Sequence, residues 1–397
     1  MKRRLLVVSH TPHYINNGVV TGWGPTIREI DHLSELFDEV VHIAPVHSNA
    51  PSSAIAYESS RVRLRAIRPS GGERLQDKLS ILWQSGSYIK AIMQEASAAD
   101  VLHIRCPANV SLIAILLMGL LGRPAIKWVK YAGNWRPEGV GDALSYRFQR
   151  WWLEKCSRNC VVTINGEWPD QPSHVRSFLN PCLTREELEE GKTVSNSKSI
   201  TTRVRLLFAG RLEPAKGVEC VLETAVRLLA RKMDVTLDFV GDGPLRGELE
   251  ALVKSHGIER AVRFHGWMPR HLLGKLYAEA NFILLPTDSE GWPKVLSEAM
   301  AYGVVPLASA VSCIPQYLDK FKTGRAFPVG DTAGFVDAVQ WYANNPDIWE
   351  AESRNAVDAA RQFTYSVYVH RVNELLEFKP DTQGFPVPTG PGAGSAL

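Results

Sequence analysis

The chain has 397 residues, 45% hydrophobic and 22% charged, a globular composition that excludes a fibrous or wholly disordered chain. It is too long for one ordinary α/β domain and suits two of roughly 170–190 residues. The formal net charge is only +3, but between Arg61 and Arg158 sixteen Lys or Arg face seven Asp or Glu. That basic zone is either a solvated face or a surface for anions such as phosphorylated acceptors, anionic lipid headgroups or nucleic acid.

At the N-terminus, MKRRLLVVSH has too short an apolar run for a signal peptide and is predicted to be a strand. Short Val-, Ile- and Leu-rich runs then alternate with stretches of helical period, the pattern of a parallel sheet wrapped by helices. The predicted strands of the first half are Leu5–Ser9, Val40–Ala44, Val62–Ile67, Val101–Ile104, Ala125–Val129 and Cys160–Ile164. Helices are predicted over Thr26–Phe37, Arg74–Ala98 and Ser145–Lys155. The apolar run Val110–Leu121 is too short to span a bilayer, which takes about twenty residues, and is predicted to be a buried helix.

Between Asn180 and Thr202 the alternation pauses in what reads as a polar linker. It restarts with strands at Val204–Ala209, Val235–Val240, Val262–His265, Phe282–Pro286 and Val304–Ala308. Tyr365–Phe378 is predicted to be an amphipathic helix, and the Pro- and Gly-rich residues 380–397 a disordered tail. The expected division is 1–200, 201–363, a helix at 364–379 and the tail, with a ligand cleft between two doubly wound domains. The six cysteines lack zinc-site spacing and are expected as reduced thiols in a cytoplasmic protein.

Three segments carry chemistry. After the strand ending at Ala209, Gly210-Arg211-Leu212-Glu213-Pro214-Ala215-Lys216-Gly217 opens onto a helix. A glycine turn at a helix N-terminus favours anions, and a forked and a point-like cation suit a diphosphate; the bland reading is a charged surface turn. Gly241-Asp242-Gly243-Pro244 resembles a dinucleotide fingerprint whose third glycine comes one position late. It reads as a tight turn bringing backbone near a ligand. In Glu290-Gly291-Trp292-Pro293 and on to Glu298, Pro293 suits the first helical position and Gly291 permits close approach of a ligand. Glu290 before the helix would meet a sugar, and Glu298 along it a ribose. The bland alternative is a helix cap and a solvated glutamate. Asp288-x-Glu290 is weak evidence for a metal, and none is expected.

Gly210-Arg211-x4-Lys216-Gly217, Gly241-Asp242-Gly243-Pro244, Phe264-His265-Gly266-Trp267 and Glu290-x7-Glu298, in this order, resemble the retaining glycosyltransferases of family 4, the group 1 transferases. Val305–Ser309 and Gly324–Asp331 match later segments of that family. The resemblance implies an α/β GT-B fold, two Rossmann-like doubly wound parallel-sheet domains facing a central cleft, with the last helix crossing back onto the first domain. It implies transfer of a sugar from a UDP- or GDP-sugar to a hydroxyl of a glycan or lipid-linked acceptor, with no tightly bound cofactor and no nucleic-acid partner. Arg211 and Lys216 would hold the diphosphate, Glu298 the ribose and Glu290 the sugar. Backbone around Gly291 and Trp292 would help, and Gly266 and Trp267 would border the base.

In the first half, Gly22-Trp23-Gly24 resembles the family's glycine loop beside the donor phosphate, with Gly18 before it. Ala132 stands where the family often carries a histidine, and Gln316 where it often has Glu. Tyr131 or Asn134 would then contact the sugar, and His10, His13 or His103 would line the cleft. Trp128, Trp135, Trp151 and Trp152 with the basic zone suit the inner membrane face or a core. A nucleotide-sugar 2-epimerase and a non-catalytic sugar-nucleotide or glycan binder are the competing readings.

Overall fold

The computed structural model describes residues 3–70, 75–137, 143–157, 159–200 and 203–377; the expected tail lies outside them. The strands of the first sheet are β1 (Arg4–Val8), β2 (His13–Asn16), β3 (Val19–Trp23), β4 (Glu39–His47), β5 (Ala54–Ala56), β6 (Val62–Ile67), β7 (Val101–Cys106), β8 (Ile126–Tyr131), β9 (Val161–Ile164) and β10 (Val175–Ser177). The second sheet holds β11 (Arg203–Ala209), β12 (Asp234–Val240), β13 (Val262–Phe264), β14 (Phe282–Leu285), β15 (Val305–Ser309) and β16 (Arg325–Phe327). The helices are α1 (Gly24–Leu33), α2 (Leu75–Ala96), α3 (Asn109–Met118), α4 (Leu144–Lys155), α5 (Arg185–Ser195), α6 (Val218–Ala230), α7 (Arg246–Ser255), α8 (Arg270–Glu279), α9 (Lys294–Ala301), α10 (Ile314–Phe321), α11 (Thr332–Asn344), α12 (Pro346–Ala360) and α13 (Tyr365–Glu377).

Both sheets are doubly wound. In the second the order is β13-β12-β11-β14-β15-β16, all parallel. The direction of winding reverses between β11 and β14, which opens a crevice at their carboxyl ends. In the first sheet β6, β4, β1, β7, β8, β9 and β10 follow one another in the same way, and the reversal lies between β1 and β7. Side chains alternate across the pleat. Leu6, Val8 and Leu102 pack under α2, α3 and α4, while Leu5, Val7 and Val101 pack under α1 and α13. The last helix thus completes the core of the first domain.

Four expectations need correction. The glycine loop is not a loop: β2 and β3 form an antiparallel hairpin, extended by β5, beside the parallel strands. Its turn is Asn17-Gly18, with φ of 49° and 80°, the positive-φ pair that a two-residue hairpin turn requires. As a result α1 starts at Gly24 and not near Thr26. The supposed linker contains α5, whose Thr184 hydroxyl accepts from Glu187 N–H while the Glu187 carboxylate accepts from Thr184 N–H. Finally, Pro293 is the residue before α9, not its first.

Replacing Thr184 with Ala removes one half of this reciprocal cap. We expect a loss of about 1 kcal/mol, read as a lowered urea midpoint at unchanged slope, and recovery of most of it in Thr184→Ser.

Candidate active site between the two switch points

The loops after β11 and β14 leave the second sheet at its reversal point. Gly241, following β12, has φ of 122° and would carry a Cβ only 1.9 Å from the Gly210 carbonyl oxygen. Its N–H donates to Gly266 O at 2.8 Å. This glycine therefore serves loop-on-loop contact, with the space expected for a ligand filled by backbone. Gly291 is similar: a Cβ there would lie 2.1 Å from Ala132 O and 2.8 Å from Asn165 Nδ2, both in the first domain. The close approach expected toward a ligand is made to the facing domain.

Lys216 and Glu290 meet as an ion pair across the two loops. Arg211 is not drawn into that pair. It binds Glu213 at 3.0 Å, and its side chain is 69% exposed. Glu298 lies deeper, bound by the Arg270 guanidinium and by Tyr277 Oη at 3.3 Å. Arg270 also forks onto Glu187. Burial disfavours its charge, but Glu298 and Glu187 outweigh burial and raise its pKa. Glu187 also binds Arg28 of α1 at 3.0 Å, so the glutamate along α9 is linked by ion pairs to the first domain. The Trp292 indole is buried, donating to Ser297 Oγ at 2.7 Å and stacked on Phe363. Only its backbone remains for a site. Trp267, next to Gly266, is half exposed.

On the facing side, the start of α1 adjoins the start of α9. Lys294 Nζ donates to Pro25 O at 3.3 Å and lies 3.6 Å from Glu29. Glu29 is fully buried and also takes Arg105 and Lys130, each at 2.6 Å, and Tyr368 Oη at 2.8 Å. Burial opposes its charge, yet Arg105, Lys130 and Lys294 hold its pKa well below the usual carboxylate range. Burial pushes Lys130 down to about 7. Gly22 and Gly24 flank exposed Trp23 at the end of the hairpin.

Several first-domain candidates turn out to be interior groups. Tyr131 is buried, accepting from Arg150 and packed edge-on to Trp135. His103 is buried and stacked on Trp128 at 3.7 Å; His13 is buried too. Trp128 and Trp135 are core, whereas Trp151 is half exposed. Asn134 caps its own turn, accepting from Arg136 N–H. Ala132 and His10 lie at the surface; partial burial of the His10 ring, then Arg105, lowers its pKa. Gln316 accepts from Glu167 N–H at 2.9 Å, bridging the domains. Among the described residues no three His, Cys, Asp or Glu side chains are grouped to hold a metal.

Residues 192–363 match the family model of glycosyl transferases group 1. That match spans nearly the whole of the second domain. Alpha-D-kanosaminyltransferase of Streptomyces kanamyceticus is 28% identical over 180 residues, 44% of this chain and 47% of that protein. The chain thus matches about half the length of such curated relatives. Sucrose-phosphate synthase of Thermosynechococcus elongatus superposes with a TM-score of 0.70 at 18% identity, covering 95% of this chain and 98% of that one. HepE of Anabaena, solved in complex with UDP and glucose, gives 0.66 at 13% identity over 94% and 99%. The architecture is GT-B.

Arg270, Glu187, Glu29 and Lys294 were not singled out from the sequence. Lys294 sits inside a quoted motif, but the Glu29 it meets is far away in the chain, and Arg270 has no local pattern around it. The Gly291 contact can be tested directly. Gly291→Ala should fold but part the domains at that point. Amide exchange at 131–133 and 165–167 should quicken at least tenfold while β11–β15 stay protected; equal protection everywhere would refute the contact.

Proposed function

We propose that the protein is a retaining glycosyltransferase of family 4 type, moving a sugar from a UDP- or GDP-sugar to an acceptor hydroxyl. Residues 201–363 would bind the donor and residues 1–200 the acceptor, in cell-surface polysaccharide or glycolipid assembly. The observation that carries this reading is the meeting of two helix N-termini, α1 and α9, beside Lys216 and Glu290 at the facing switch points. Unpaired N–H groups and both helix dipoles favour an anion there.

In this mechanism the diphosphate takes Lys216 away from Glu290 and draws in exposed Arg211. Glu290 is then released to the hydroxyls of the sugar, and Glu298, steadied by Arg270, accepts from the ribose. As the anomeric C–O bond breaks, negative charge grows on the leaving diphosphate and positive charge on the sugar. Lys216, Arg211 and the helix amides stabilise the former, a preorganised electrostatic contribution. The leaving phosphate accepts the proton of the incoming hydroxyl on the same face, which retains configuration without a protein nucleophile. Gly22 and Gly24 border the phosphate from the first domain, and Gly210, Gly241, Gly266 and Trp267 shape the nucleotide end.

The acceptor side bears an apolar and basic face. On α4, Leu144, Arg147, Phe148, Trp151 and Lys155 form one exposed stripe at helical spacing. Leu120, just past α3, and Trp83 of α2 are also exposed, at 84% and 86%. No described helix is long and apolar enough to cross a membrane. Basic and aromatic side chains along one helix face suit the headgroup boundary, so a lipid-linked acceptor met at the inner membrane face fits this side.

Two measurements test these readings. Arg211→Ala and Lys216→Ala should each weaken UDP or GDP binding at least tenfold and cut turnover by two or more orders of magnitude; wild-type titrations for both would refute the donor site. The protein should co-sediment with anionic vesicles at low salt, release at high salt, and bind at least tenfold less well as Trp151→Ala. Equal recovery with neutral vesicles, or none with anionic ones, would remove the membrane from the proposal.

A further inference from the structure

Behind the glycine hairpin lies a group of buried side chains that the proposed mechanism does not use. His13 Nδ1 lies 2.8 Å from Thr11 O, and His13 Nε2 lies 2.8 Å from Tyr57 Oη. His42 Nδ1 lies 2.7 Å from the same Tyr57 Oη, and His42 Nε2 lies 2.6 Å from Ser9 Oγ. Thr11 N–H donates to Ser9 Oγ at 3.2 Å.

With both imidazoles neutral, donor chemistry fixes every proton. The Thr11 carbonyl only accepts, so His13 Nδ1 carries the hydrogen and Nε2 is an acceptor. Tyr57 must therefore donate to His13, and its oxygen accepts from His42 Nδ1–H. His42 Nε2 is then left to accept from Ser9. The bonds close into a one-way ring: Thr11 N–H to Ser9, Ser9 to His42, His42 to Tyr57, Tyr57 to His13, and His13 back to Thr11. One protonated imidazole can still be bonded if the Tyr57 and Ser9 hydroxyls turn, but it sets a charge on a fully buried ring with no carboxylate among its hydrogen-bond partners. A second places two N–H donors on Tyr57 Oη and strands its own hydrogen. The ring reaches the hairpin directly, because a Cβ on Gly22 would lie 3.0 Å from the His13 ring.

We propose that Tyr57 is a positioning residue that, through this closed ring, holds the Thr11–Gly24 hairpin against the cleft, and that protonation of the ring histidines releases it. The groups facing the ring are known. His47 on β4 faces His13. Arg105 and His103 on β7 face His42, and Asp31 of α1 and Arg105 face Tyr57. Burial is the main cause that brings His13 down to about 4, with His47 adding to it. Burial, then His13, Arg105 and His103, hold His42 well below its usual value.

The sign follows. A neutral imidazole in the closed hairpin gains a proton on opening, so closure is fully favoured above about pH 6.5 and weakens as pH falls toward about 4. Between pH 7 and pH 5, His13 alone should lower hairpin protection about twentyfold.

The test is amide hydrogen exchange on the full chain, corrected for intrinsic rates, at pH 7 and pH 5. Wild-type residues 11–24 should lose protection on acidification while 203–209 and 282–285 do not. Tyr57→Phe keeps the rings in place and opens the circle. Residues 11–24 should then exchange at least tenfold faster at pH 7. Ser9→Ala opens the circle on its far side and should do the same. Wild-type protection of 11–24 in both variants, a pH-independent wild-type hairpin, or protection lost equally across 101–131 would overturn the proposal. None of these readouts depends on sugar transfer, so failure of the donor reading remains separable.

Discussion

One buried carboxylate registers the whole molecule. Glu29 has no access to water and gathers Arg105 from β7, Lys130 from β8, Lys294 from α9 and Tyr368 from α13. A buried charge left without partners is strongly destabilising; Arg105 and Lys130 of the first domain hold this one, and through it Lys294 and Tyr368 tie the second domain and the last helix to the same point. Three cations on one carboxylate leave a surplus of positive charge, and burial answers it by easing protons off: Lys294 is lowered and Lys130 is brought down to about 7. Because Lys294 directly follows Glu290-Gly291-Trp292-Pro293, the same carboxylate sets the height of that loop over the first domain.

The repeated strand and helix periods made both sheets legible, since parallel strands buried on both faces read as continuous apolar runs. The hairpin at β2 and β3 was legible too, in Asn17-Gly18 between alternating residues, but a search for glycines near a phosphate reads it as a loop. Helix α5 was hidden because its composition is charged and only Leu188 and Gly191 are buried; its start is marked by the Thr184 and Glu187 pair. The candidate residues of the second domain lie in short segments, and the structure brings Lys216 to Glu290. The positions of Glu29, Arg270 and Tyr57 depend on partners brought from far along the chain, and no local period encodes such pairings.

Glycines show the same boundary between sequence and structure. A glycine-rich turn after a strand signals close backbone approach, and the sequence leaves open what approaches. At Gly241 it is the neighbouring loop, and at Gly291 it is the opposite domain. Those contacts stack the loops of the second domain on one another and against the facing domain. Under the proposed function, backbone packing fixes these loops, and the side chains of Lys216, Glu290 and Arg211 supply the grip.

Those polar groups are already paired before any donor arrives: Lys216 with Glu290, Glu298 with Arg270, and Arg211 with Glu213. Under the proposed reading, binding is then an exchange of partners, which avoids exposing bare charges in a recess where they are expensive to desolvate. The three pairs differ in how freely they exchange. Arg270 is tied to Glu187 and to the Cys182 carbonyl as well, so Glu298 is a fixed acceptor. Lys216 holds Glu290 across two loops that the glycine contacts keep in place. Arg211, mostly exposed on its own short turn, is the cation with the least to give up, and it is the one able to follow negative charge onto a departing diphosphate.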